Sequence, residues 1–565
     1  MNHSPDFAAP TPSVHVQRRR LWQTASGLAI LAALMMAQAA KAQDALTTSS
    51  PPVLRDQRVE MAMKIRQPFT LVAVGDMLQT IPVSKNDDPD IQYLMNLMRG
   101  ADMTVANNEN TIIDNDTFRG TISHMETPVS VADDWANMGI RMMTKANNHT
   151  WDDGDEGVWQ DFHELDRVGI VHVGVDRNLT EARLARFAAT PKGTVAMVGV
   201  YADNGRQLLG LPLGGVVNVT AAQLVQLRAM RDSIVARRSE VDNPIVLPAK
   251  DTDGVISVFG LTFKVATAGD KTAPASDLEK QVRDHDSRHA AITTRSNTLN
   301  LTTYFGVTAR QMGQLRAIAG DKGQGDTLAA FGVNFQVTPG PGEYHYAMNP
   351  QDERDILREI RSGKQLSDFE VATIHWHQNR FAFQHYSFDH YPADFEIRFA
   401  HDAIDQGADV FFGHGVHTLK GVEIYKGKPI FYGVSNFMLM EQRFLSWRDR
   451  GAEPATPLTG PIIGDGQVNE QQWAWMERQD NFEALLTASH FENGRLTEVR
   501  IYPVDLGDKG GLARPGSQVG IPKRPTPERA REILTRVAEY SKPFGTKIDI
   551  EDGVGVIRIP ADKAN

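Results

Sequence analysis

The chain has 565 residues, 46 of them glycine and 29 proline, with 41% hydrophobic and 23% charged residues. That balance excludes a collagen-like or low-complexity chain and supplies apolar material for one large or two moderate cores. A net charge of −11 argues against a nucleic-acid partner, and the absence of cysteine excludes disulfide frameworks, thiolate zinc sites, iron–sulfur clusters and cysteine nucleophiles.

The first residues read as an address. Arg18-Arg19-Arg20 precedes the apolar run Leu28–Ala37 and the small-x-small pattern Ala40-Lys41-Ala42, the three parts of a secretory signal. The stretch from Arg18 to Gln23 also resembles a twin-arginine signal. The apolar run falls short of the ~20 residues of a spanning helix. Residues 1–42 are therefore expected to be a signal peptide, with membrane association only if that segment stays uncleaved. The mature chain is expected in the periplasm or secreted. Losing four basic residues and one acidic residue takes its net charge to −14.

Beyond residue 66, short apolar runs end abruptly in polar side chains. Leu71–Val74 ends in Gly75-Asp76. Asp88-Pro89 opens a helix with Ile91, Leu94, Met95 and Met98 on one face and Gly100 at its close. Met103–Ala106 ends in Asn107-Asn108-Glu109, and Ile140–Thr144 runs into Ala146-Asn147-Asn148-His149. A second helix carries Val158, Phe162 and Leu165 and stops near Gly169. Val219–Met230 resembles Val307–Ile318, and both read as amphipathic helices begun by a threonine cap, serving either as surface helices or as a duplicated cover over a cleft. Val371–Ile374 ends in His375-Trp376-His377. A third helix carries Phe399, Ala403 and Ile404 and stops at Gly407, after which Ala408–Phe412 ends in Gly413-His414-Gly415-Val416-His417. Residues 451–471, rich in glycine and proline, read as a long mobile loop near the site. Alternating strands and helices predict an α/β fold, in which sites form outside the carboxyl ends of the strands.

Five strand ends deliver Asp76, Glu109, Asn148, His149, His375, His414 and His417. Singly, each has an ordinary structural reading as a turn, a cap or a core histidine. Together they form a mixed oxygen and nitrogen donor set, which suits zinc, manganese or iron better than calcium. Two carboxylates and up to four imidazoles exceed the needs of one tetrahedral ion. They predict one or two divalent ions, two of which would stand ~3.5–4 Å apart and clamp the oxygens of a phosphoryl transfer.

These same segments resemble the capsule-synthesis CapA family, a branch of the calcineurin-like metallophosphoesterases. The resemblance rests on Val74-Gly75-Asp76, Asn107-Asn108-Glu109, the loop Ala146–Gly154, Ile374-His375-Trp376, the long stretch Gly407–Phe437 and the C-terminal SKPFGTKIDIEDGVGVIRI. It covers roughly residues 66–204 and 290–560, within one domain spanning 66–560, and leaves 205–289 as an insertion. It implies a four-layer α/β/β/α sandwich with a metal centre at the strand ends. Asp76, Glu109, Asn148, His375, His414 and His417 would be metal ligands, with Glu109 bridging. His149 would be electrostatic helper or general acid, and Asp152 would orient it.

Departures from the family pattern stand beside the matches. Met77 and Leu78 follow Asp76 where Asp-x-His is usual, the bridging residue is Glu109 instead of Asp, Gly415 replaces a second histidine, and His377 replaces a glycine. His377 is either a compensating ligand or a pocket-lining residue. The resemblance implies a metal-dependent phosphoester-type hydrolase of capsule or poly-γ-glutamate biosynthesis. Its alternative is a non-catalytic factor that uses a degenerate centre to hold an anionic polymer or a capsule-assembly protein.

Overall fold

A computed structural model describes residues 57–120, 125–204, 217–240, 254–259, 261–266, 291–331, 333–339, 341–380, 390–440, 479–507 and 519–560. The expected signal segment and the 451–471 loop lie outside the described residues, as does much of 205–289. Contacts divide the chain into residues 1–60 and residues 61–565, and the second unit carries both large sheets. Among the described residues no helix is long and apolar enough to cross a membrane.

The three expected helices form where their caps place them. Asp88 accepts a hydrogen bond from the Asp90 N–H, Pro89 fills the first turn of the helix Pro89–Gly100, and Ile91, Leu94, Met95 and Met98 are all buried. The helix Gly154–Val168 ends at Gly169 in the left-handed region, at φ +75°. The third spans Asp394–Asp405 and buries Phe399, Ala403 and Ile404.

The first sheet has nine strands and is built around Phe69–Leu78, parallel to Met103–Asn107 and antiparallel to Glu483–Glu492. The second has ten strands, with Gly193–Asp203, Phe369–His375 and Val410–His414 parallel at its centre. The last two are buried at every position, as parallel strands covered on both faces must be.

Alternation along each strand sorts the core into layers. Leu71, Ala73 and Val105 of the first sheet share a cluster with Met197, Val371 and Phe412 of the second, so the two inner faces pack together. The outer faces meet helices. Val72, Val74 and Ala106 lie with Ile91, Leu94 and Trp135, and Val198, Ala372 and Phe411 with Ile356, Ile360 and Phe399. The fold is α/β, with helices outside two packed sheets.

One element runs past its expected end. The strand expected to stop at Val74 continues to Leu78, with a register shift between Ala73 and Asp76. Beyond that irregularity its backbone pairs with Asn436–Leu439, which supplies the hydrogen bonds that Met103–Asn107 no longer reaches.

The similarity around Val219 and Val307 extends through whole supersecondary units. The first copy is the strand Val217–Val219, the helix Ala221–Glu240 and the hairpin Val255–Val258 and Leu261–Val265. The second is the end of Thr298–Val307, the helix Ala309–Ala319 and the hairpin Thr327–Ala330 and Val333–Val337. In both, the second hairpin strand pairs parallel to the opening strand. Each hairpin turns on a phenylalanine of positive φ, Phe259 at 59° and Phe331 at 58°. The ring contacts are reciprocal: Phe259 meets Phe335 at 5.1 Å and Phe263 meets Phe331 at 5.7 Å, each pair with rings at 83°. These exchanged contacts join the two copies in one shared core.

Candidate metal centre

Register brings the polar strand ends to one place. Asp76 stands level with Asn107 on one side and Asn436 on the other. In the second sheet His375 stands level with His414, its neighbour across the pair.

Asp76 is fully buried. Its Oδ1 accepts a hydrogen bond from Asn107 Nδ2 at 2.7 Å and lies 3.1 Å from His414 Nδ1. Its Oδ2 accepts one from the Gly415 N–H at 2.9 Å and lies 3.8 Å from His417 Nδ1. Burial pushes this carboxyl up, but the hydrogen bond with His414 and the charges of His414, His375 and His417 outweigh it and hold Asp76 below the usual carboxylate range.

His375 is also fully buried, and its Nδ1 lies 3.0 Å from His414 Nδ1. Its Nε2 faces Asn148 Oδ1 at 2.9 Å, His377 Nε2 at 2.8 Å and Glu109 Oε1 at 3.7 Å. Burial pushes the imidazole well below its ordinary value, against the attraction of Asp76. It is therefore neutral near pH 7, the form that binds metal.

The remaining expected residues surround these two. His414 Nε2 is 3.0 Å from the Thr373 hydroxyl, and His417 Nδ1 is 2.6 Å from Asn436 Oδ1. His149 Nδ1 lies 2.7 Å from Asp152 Oδ2, the i+3 contact expected of the loop, while its Nε2 is 4.0 Å from Glu109. With 23% of its side chain exposed, His149 stands beside the buried Asp76, Glu109, His375 and His414. Asn147 ties the loop to its neighbour through Nδ2, which donates to the Asn108 carbonyl at 2.8 Å.

Strained and close-packed backbone accompanies this convergence. His417 and Ser435 have φ of +55° and +61°, a conformation costing about 1–3 kcal/mol that surrounding structure must hold in place. A Cβ on Gly75 would lie 1.8 Å from the Ser435 carbonyl, and one on Gly415 would lie 2.8 Å from His375 Nε2. The ring of His375 thus occupies the space that a side chain at 415 would need.

The donor set fits a metal. Three groups of buried side chains each bring ligand atoms within 4.8 Å of one another: Asp76, His375 and His414; Glu109, His375 and His377; and Asp76, Glu109 and His417. Carboxylates and imidazoles crowded this closely suit a borderline transition ion. All eight expected residues, Asp76, Glu109, Asn148, His149, Asp152, His375, His414 and His417, lie in this cluster. Four others join them. His377 carries a sequence signal as the departure from glycine. Asn107 and Asn436 are polar residues at strand boundaries. Thr373 lies inside an apolar run and carries no signal.

The model of the bacterial capsule synthesis protein PGA_cap family matches residues 70–248 and 239–441. The uncharacterized protein y4sH of Sinorhizobium fredii is 30% identical over 507 residues, spanning 87% of this chain and 93% of that protein. The PGA biosynthesis protein CapA of Bacillus subtilis is 30% identical over 28% of this chain and 42% of its own length. The capsule biosynthesis protein CapA of Bacillus anthracis is 28% identical over 20% of this chain and 25% of its own. With a match over more than half its length, this chain belongs to the bacterial capsule synthesis protein PGA_cap family.

Proposed function

We propose that the chain is an exported, metal-dependent hydrolase of phosphoester-type bonds acting in capsule or poly-γ-glutamate biosynthesis. The observation that carries this reading is the meeting of three donor groups with the hydrogen-bonded His149–Asp152 pair at one strand-end cluster. Asp76, Glu109, Asn148, His375, His414 and His417 would hold one or two ions of zinc, manganese or iron. Such ions, when bound, activate water near neutral pH and neutralise charge developing on a transferred group. Asp152 holds Nδ1 of His149, directing the other ring nitrogen toward the centre, where it can hydrogen-bond a phosphoryl oxygen or deliver a proton to the leaving oxygen. The buried wall formed by Asp76, His375 and His414 excludes bulk water from the far side. The family and the names of the Bacillus relatives support the biosynthetic setting.

The test is hydrolysis of bis(p-nitrophenyl) phosphate by protein freed of metal with a chelator and reloaded with zinc, manganese or iron. Metal-restored turnover that falls in His149→Ala supports the hydrolase. Loaded protein that turns over neither phosphomonoesters nor phosphodiesters but retains poly-γ-glutamate would select the polymer-binding factor instead.

A further inference from the structure

We propose that His377 completes a second metal position in this chain, together with Glu109, Asn148 and His375, beside the position offered by Asp76, Glu109 and His417. This deepens the metal-dependent reading and rests on it.

Four donor atoms converge on one point. His375 Nε2 lies 2.8 Å from His377 Nε2, 2.9 Å from Asn148 Oδ1 and 3.7 Å from Glu109 Oε1, and His377 Nε2 lies 3.2 Å from Asn148 Oδ1. Ligands ~2.0–2.1 Å from a tetrahedral ion stand ~3.3 Å apart, so these edges bracket the expected separation. Asn148 Oδ1 is an acceptor only, and the two imidazole nitrogens facing it lie 2.8 Å from each other. A cation at the centre satisfies all of them at once.

The same geometry separates His377 from His414. Both ring nitrogens of His414 face protein groups, Nδ1 toward Asp76 and His375 and Nε2 toward Thr373. His414 thus sits on the Asp76 side of the cluster, while His377 Nε2 points to the donors it shares with Asn148 and His375. The backbone after His377 is fastened to the second duplicated unit's neighbourhood. Asn379 Nδ2 donates to the His377 carbonyl at 2.9 Å, the Tyr346 hydroxyl donates to the Asn379 carbonyl at 2.8 Å, and the Tyr344 N–H donates to the Arg380 carbonyl at 2.7 Å. The strand Tyr344–Met348 pairs with Thr298–Val307, the strand that opens the second copy. The strand beside the opening strand of the second copy therefore braces the segment that carries this imidazole.

The experiment is a metal titration of chelator-stripped protein with Mn²⁺, read by elemental analysis and by electron paramagnetic resonance. Wild type is expected to bind two ions with the spectrum of an interacting pair. His377→Ala is expected to bind one, with an isolated-ion spectrum. Tyr346→Phe keeps every donor and is expected to retain the first binding step and weaken the second, which decides the matter should His377→Ala fail to fold. Two ions bound by His377→Ala with wild-type affinities, an unchanged second step in a Tyr346→Phe protein, or a wild type that saturates at one ion would overturn the inference. A one-ion protein that still hydrolyses phosphodiesters would leave the proposed function standing; a protein that binds none would end both.

Discussion

Gly75 is the position where a single methyl group tests the architecture of the centre. It lies between the apolar run of its strand and Asp76, and a Cβ there would sit 1.8 Å from the Ser435 carbonyl oxygen and 3.1 Å from Val434. Restoring ordinary contact requires a shift of about 1.7 Å, and the obstacle is backbone, not the end of a flexible side chain. Ser435 already holds a φ of +61°, which leaves it little freedom to retreat. The shift would break the hydrogen bond that the Asp76 N–H donates to the Ser435 carbonyl, worth about 1 kcal/mol. Overpacking adds about 1–3 kcal/mol. Gly75→Ala is therefore expected to lose roughly 2–4 kcal/mol of unfolding free energy and to bind metal more weakly, because Asn436, which holds His417, moves with Ser435. Guanidinium unfolding followed by circular dichroism, beside a metal titration, measures both. A Gly75→Ala protein with wild-type stability and metal affinity would refute the close approach of these two strands.

Other perturbations have smaller or opposite effects. Gly313 lies inside the helix Ala309–Ala319 with nothing within 4 Å of its added Cβ, and its counterpart in the first copy is Val225; Gly313→Ala should raise stability by about 0.5–1 kcal/mol in the same unfolding assay. Glu370 is fully buried, and burial, aided by Asp409 and opposed by Lys364, pushes its carboxyl well above the ordinary value, so the fold keeps it protonated. Its contribution is present below the unfolded carboxyl value and lost as pH rises toward the folded one, at about 1.4 kcal/mol per pH unit; Glu370→Gln should therefore flatten the fall in stability above about pH 4.5, and an unchanged pH profile would contradict the assignment. His149→Ala should lower kcat on bis(p-nitrophenyl) phosphate on the order of 10²–10⁴-fold with metal content unchanged, and Asp152→Asn should lower it less. Loss of metal in either variant would make His149 a ligand instead.

Much of this centre was legible because its signals are local. An apolar run followed by a ligand-type residue marks a parallel strand and its carboxyl end, and Asn107, Thr144, His375 and His414 each close a strand as that grammar predicts. The Asp152 contact to His149 spans three residues and is fixed by the loop itself. Partners drawn from distant segments were not legible. Asn436 meets Asp76 only through sheet register, and Thr373 is one of seven buried positions in its strand, distinguished only by the imidazole that happens to lie beside it. The extension of the first strand to Leu78 escaped for a similar reason, since its second half is stabilised by residues more than 350 positions later. The duplication was plain in its helices, where Val, Thr, Ala, Gln, Gln, Leu, Arg and Ala recur, and shorter in its hairpins, where Phe-Gly-x-x-Phe-x-Val recurs at 259–265 and 331–337.

The central claim is that the strand ends form a metal centre, and the most direct test is elemental analysis of purified protein incubated with zinc, manganese or iron and then freed of loose ion. Glu109 belongs to two of the three donor groups, so Glu109→Ala is the informative comparison. The account predicts at least one divalent ion retained per wild-type chain and a clear loss in a folded Glu109→Ala protein. A wild type that stays empty with every ion offered, or a Glu109→Ala protein with its full complement, would contradict it.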